Sequence, residues 1–148
     1  MSVFRELEYE IAQDCEANGI GVFSPADPTT RTIFISDIPD DSDADGNPLY
    51  PEVLLIVPVP SPPPHEYIDT EYPVLDFWSR SPHSDRSKAL LRQVFDLYHR
   101  RNAFTTTNWR IYNSHALGNI VDVDRDAEGG KLYRLSVQFR CRNLTHIS

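Results

Sequence analysis

The chain has 148 residues, 40% of them hydrophobic, with 22 acidic and 14 basic side chains that leave a formal charge of -8. That length supports one domain with a sizeable core, and no apolar run approaches the roughly 18 residues of a membrane span, so a soluble chain with no membrane partner is expected. The acidity argues against a protein that grips nucleic acid through phosphate contacts. The two cysteines, Cys15 and Cys141, are too few for a disulfide scaffold or a zinc site, and both read as reduced core residues in a cytosolic setting.

From Ser2 to Asn18 the apolar residues Val3, Phe4, Leu7, Ile11, Ala12 and Cys15 recur at three- and four-residue intervals. This predicts an amphipathic helix, capped by Ser2 and ended by Asn18-Gly19. Its interspersed acidic residues do not read as a signal peptide. Arg31–Ser36, rich in β-branched and aromatic residues, predicts a strand, and Glu52–Val57 a second one. The continuous apolar character of the second suggests a central place with both faces covered, and Pro58 is expected to end it. Residues 58–64, PVPSPPP, open a proline-rich loop over about 58–72 that is expected to project from the domain.

Tyr72–Ser79 predicts a third strand, with Pro73 near its start where a missing donor is tolerated. Ser81-Pro-His-Ser-Asp85 offers capping residues to a second helix over roughly 85–101, whose stripe is Leu90, Leu91, Val94, Leu97 and Tyr98. His99, Arg100 and Arg101 fall at its negative end, where cations are favoured. Asn108–Asn113 predicts a strand that resumes near 119–123. In the last segment Tyr133, Leu135, Val137, Phe139 and Cys141 alternate with Arg134, Ser136, Gln138, Arg140 and Arg142, the clearest strand pattern in the chain. Helix, three strands, helix and two or three strands make an α+β fold over the single domain 1–148. Its sheet is mixed and mostly antiparallel, of about five or six strands, with two helices packed on one face.

Residues 41–52, DSDADGNPLYPE, fit the written pattern of an EF-hand calcium loop at every fixed position, with Asp41, Asp43, Asp45 and Glu52 as ligands. The flanks disagree: strands rather than helices border the loop, Pro48 replaces the usual apolar residue, and Pro51 precedes Glu52. A solvated strand connection is the simpler reading, and a calcium-binding interaction module is the alternative. In Asp122-Val-Asp-Arg-Asp126, alternate acids on a strand would share one face, and a polar hairpin end explains them more simply than an ion does. No HExxH, G-x-S-x-G elbow or glycine-rich phosphate loop occurs, so an enzyme is not expected and no cofactor is implied. A hydrolase would require a concave pocket with His83 or His115 beside a carboxylate or thiol. The outward row Arg134, Arg140 and Arg142 reads either as an ordinary solvated face or as a subunit contact. In the second case it would meet the acidic loops 37–45, with Asp41, Asp43 and Asp45, or 122–128 of a neighbouring copy.

Taken in order, the N-terminal helix, IFISDIPDD, YPEVLLIVPVP, YPVLDFWSRS leading into SDRSKALLRQVFDLYHRR, and VDVDRDAEGGKLYRLSVQFRCR resemble the tail terminators of tailed phages. These are also described as minor capsid, neck or head-tail joining proteins. The closing hairpin ending in F-R-x-R is the most similar part, and residues 58–72 depart from the family by their length and prolines. The resemblance implies a virion structural protein, assembled in the host cytoplasm into a homohexameric ring at the head-proximal end of the tail. Its expected partners are its own copies, the tail tube protein and the head-tail connector protein, with genome DNA passing through the lumen without specific binding. An acidic lumen that repels phosphate is compatible with a charge of -8 per subunit.

Overall fold

The computed structural model describes residues 6–27, 30–37, 50–60, 70–125 and 131–144. Two helices, α1 (Leu7–Ala17) and α2 (Ser84–Tyr98), accompany eight strands. These are β1 (Ile33–Ile35), β2 (Val53–Val59), β3 (Thr70–Glu71), β4 (Val74–Ser81), β5 (Phe104–Thr105), β6 (Trp109–Ala116), β7 (Val121–Arg125) and β8 (Lys131–Asn143). The sheet runs β1-β2-β4-β8-β6-β5, and β3 and β7 also pair with β8. β1 and β2 are parallel, and the other pairs are antiparallel. The fold is α+β with a mixed, mostly antiparallel sheet, and the two shortest strands, β3 and β5, carry no sequence pattern long enough to reveal them.

β8 organises the molecule because its alternation is unbroken. Tyr133, Leu135, Val137, Phe139 and Cys141 are buried, and they join Leu75 and Phe77 of β4 and Leu54 and Ile56 of β2 on one face. Leu91, Val94 and Tyr98 of α2 and Leu7, Ile11, Ala12 and Cys15 of α1 close over that face. Tyr98 is the keystone, its ring stacked on Phe77 at 5.9 Å and edge-on to Phe139 at 5.4 Å. Each such buried side chain contributes about 1.5–3 kcal/mol over leaving it in water.

Polar fastenings fix α1 against the sheet. The buried Glu10 carboxylate accepts from the backbone and side-chain nitrogens of Asn108, each at 2.7 Å. Asp14 accepts from the Tyr98 hydroxyl at 2.8 Å and from Arg101 at 2.7 Å. A carboxylate this buried is tolerated because charge-assisted hydrogen bonds replace its water.

Several expectations are corrected. Among the described residues α1 begins at Leu7, with Glu6 at its N-cap and no side-chain cap there, and Ser2 lies outside them. Its end is as expected, with Asn18 at the C-cap and Gly19 at φ 79°. β2 does not stop at Pro58 but runs to Val59. Leu54 donates its amide to Thr32, so the amides of residues 54, 56 and 58 point toward β1, which has ended at Ile35. Pro58 therefore stands where no ladder donor is required. Nor is β2 covered on both faces, since Leu55, Val57 and Val59 on its outer side are only half-buried.

Within 58–72, residues 58–59 belong to β2 and 70–71 to β3, and the expected projection of 61–69 lies outside the described residues. α2 ends at Tyr98, short of Arg101, because Arg101 pairs through its backbone with Ser114. Its N-cap, His83, makes no side-chain cap bond, while Ser81 Oγ accepts from the His83 amide at 3.1 Å. The backbone of β7 does not keep the regular register expected of it, since a shift between Asp122 and Asp124 places Asp122 opposite Tyr133 and Asp124 opposite Leu132.

Candidate functional site

Both helices pack on one face of the sheet, and no described helix or strand covers the other. Across that outer face runs a row set by strand register: Phe34, Leu55, Trp78, Arg134 and Val121. At the β1 end the row is sealed, because Tyr50 meets the Phe34 ring at 4.9 Å and Arg31 lies over it at 4.7 Å. Further along, Leu55 and Trp78 are half-buried and Val121 is exposed. A sheet face carrying this much apolar side chain is more characteristic of a contact surface than of a fully solvated one.

The three expected arginines all lie on this outer face, but the structure does not gather them. Arg134 lies over the Trp78 ring at 5.5 Å, and six residues of strand, about 20 Å, separate it from Arg140. Arg140 and Arg142 sit instead with Arg110, which sequence reasoning missed. Arg110 is the direct register partner of Arg142.

A bulge in β6 builds this cluster. Trp109 and Ile111 are buried before it and Ser114 and Ala116 after it, so the inward-facing positions change from odd to even. The extra residue is Tyr112, beside Asn113, which opposes Arg140. The Tyr112 ring receives two guanidinium groups, Arg110 at 5.7 Å and Arg140 at 5.5 Å. Like charges placed opposite one another on a sheet face repel, and the aromatic ring offsets part of that cost. The signal that could have found Arg110 was the W-R-I alternation; its pairing with Arg142 requires the register.

The expected calcium ligands are not brought together among the described residues. Asp41, Asp43 and Asp45 lie outside them, and Glu52 is ion-paired with Arg86 at 3.0 Å. A hollow of about 350 Å³ is lined by Arg31, Glu52, His83 and Arg86 among others, so His83 does share a concavity with a carboxylate. Among the described residues its carboxylate, Glu52, is held by Arg86, and the threonine hydroxyls on its wall bond backbone: Thr30 donates to Asp27 and Thr32 accepts from Val22. His115 is exposed on the outer face, whereas both thiols are buried. Burial pushes Cys15 and Cys141 each up to about 12, far from a reactive thiolate. Among the described residues no group of three or more His, Cys, Asp or Glu is placed to hold a metal ion.

The family comparison covers both the core and this outer face. The model of the family described as bacteriophage tail terminator protein matches residues 16–143, from the end of α1 to the last residue of β8. The chain belongs to the bacteriophage tail terminator family. No curated protein matches the chain. As a tail terminator it is a structural protein of a phage tail and a component of the virion.

Proposed function

We propose that copies of this chain close into a homohexameric ring at the head-proximal end of the tail. There the ring ends polymerisation of the tail tube and joins the tail to the head connector. The family match over 16–143 carries the reading. It is supported by a half-apolar sheet face over which no described helix or strand packs. Arg134, Arg140 and Arg142 meet acidic residues of the adjacent copy, Asp41, Asp43 and Asp45 foremost, in a head-to-tail contact that a closing rotation turns into a ring. With a net charge of -8 per subunit, a lumen lined by acids lets DNA pass without holding it.

Negative-stain electron microscopy of the purified protein, alone and with tail tube protein, is the direct test, with six-fold rings as the expected image. Sedimentation that finds a monomer at every concentration, together with no binding to the tube, overturns the reading. A monomer that forms rings on the tube supports it.

A further inference from the structure

Basic side chains on the outer face are concentrated at one end of β6 and β8, where Arg110, Arg140 and Arg142 lie together. Arg110 and Arg140 are both exposed, both lean on Tyr112, and neither has a carboxylate partner among the described residues. Arg142 stands directly opposite Arg110 on the same face. Two guanidinium groups on one ring repel each other in isolation and are favourable against an anion, because arginine presents a planar fork matched to carboxylates.

The chain itself supplies the matching anion. Residues 37–45, DIPDDSDAD, hold five aspartates and no basic residue. The other acidic stretch, 122–128, is partly neutralised, containing Arg125 and having Asp122 ion-paired with Lys131 at 2.8 Å. Residue 37 comes two residues after the end of β1, at one edge of the sheet, whereas β6 lies next to the opposite edge, beyond β2, β4 and β8. The acidic segment thus begins at the sheet edge opposite the basic pole, and two different patches of this kind suit a heterologous contact.

We infer that Arg110, Tyr112 and Arg140, with Arg142 beside them, form a receptor for the aspartates of segment 37–45 of a second copy. This rests on the ring reading and names the contact that joins one subunit to the next. Arg110 joins Arg140 and Arg142 in this receptor, while Arg134, over the Trp78 ring, meets the adjacent copy further along the same face.

The test is a charge swap. One variant carries Arg110→Glu and Arg140→Glu, the other Asp41→Lys, Asp43→Lys and Asp45→Lys. Each alone should lose rings, with self-association weakened on the order of a hundredfold. In an equimolar mixture every junction of an alternating ring pairs opposite charges, and rings should return. A milder pair, Arg110→Gln and Arg140→Gln, checked for an unchanged melting temperature, keeps loss of assembly separate from loss of fold.

Rings that persist in the arginine variants overturn the inference while leaving the ring reading intact. Loss in each variant without rescue in the mixture means the contact is made within one subunit, and also overturns it. So does binding of wild type to a 20-base-pair duplex, lost in the arginine variants while rings remain. Wild type that forms no ring, with or without tube, removes both readings.

Discussion

Cys15 and Cys141 lie wholly inside the core, where their thiolates would have no water and no compensating cation close enough to outweigh burial. Both thiols should therefore resist a disulfide reagent at about pH 8 in the folded protein and react quickly once denatured. A native-state reaction at the rate of a free thiol at either position contradicts this packing. Glu16 behaves oppositely, since hydrogen bonds from the Ser24 amide at 3.0 Å and the Phe23 amide at 2.6 Å hold its carboxyl below the ordinary value of 4.5. The folded state then binds that proton more weakly than the unfolded chain. Its stabilisation is full above the ordinary value and is lost as pH falls through the lowered one. Thermal melts of Glu16→Gln against wild type should differ most above the ordinary value and draw together as pH falls through the lowered one; a difference that does not change with pH contradicts it.

At the scale of elements, the connection from α1 to β1 is set by two glycines with similar backbones and different surroundings. Gly19 has φ +79° and open space where a Cβ would stand, whereas Gly21 has φ +77° and its Cβ would lie 2.8 Å from Ile33 Cγ1 and 2.9 Å from Thr32 Oγ1. Gly19→Ala should cost about 1–2 kcal/mol in denaturant melts, the penalty of a left-handed conformation alone. Gly21→Ala should cost more, roughly 2–4 kcal/mol, because Ile33 belongs to the core edge and cannot simply swing away. Equal costs for the two would show that the neighbours yield freely. The β6 bulge and the open side of β2 at Pro58 belong to the same scale. Neither shows in a residue-by-residue pattern, because each depends on which neighbour a strand has and where that neighbour stops.

For the whole molecule, assembly through exposed arginines and aspartates implies strong sensitivity to salt. Raising sodium chloride from about 0.05 M to 0.5 M should weaken self-association measured by sedimentation, since the screening length falls below the reach of such charges. Assembly that is indifferent to salt would point instead to the apolar row Leu55, Trp78 and Val121. Millimolar calcium should leave the melting temperature unchanged, because Glu52 is already held by Arg86 and a bound ion would raise it. A calcium-dependent shift of several degrees would restore the loop 41–52 as an ion site.

Much of this molecule is legible in its amino-acid sequence. Alternation over 131–142 determined β8 and its buried face, three- and four-residue spacing determined the two helices, and the order of elements determined the α+β class. These are local properties, written by side-chain period along a single segment. Only the tertiary structure decided that Arg110 stands opposite Arg142, that Arg134 is set apart over Trp78, and that β2 passes through Pro58. Register, bulges and strand neighbours join residues far apart in the chain, and the energy that selects them exists only once the sheet is assembled.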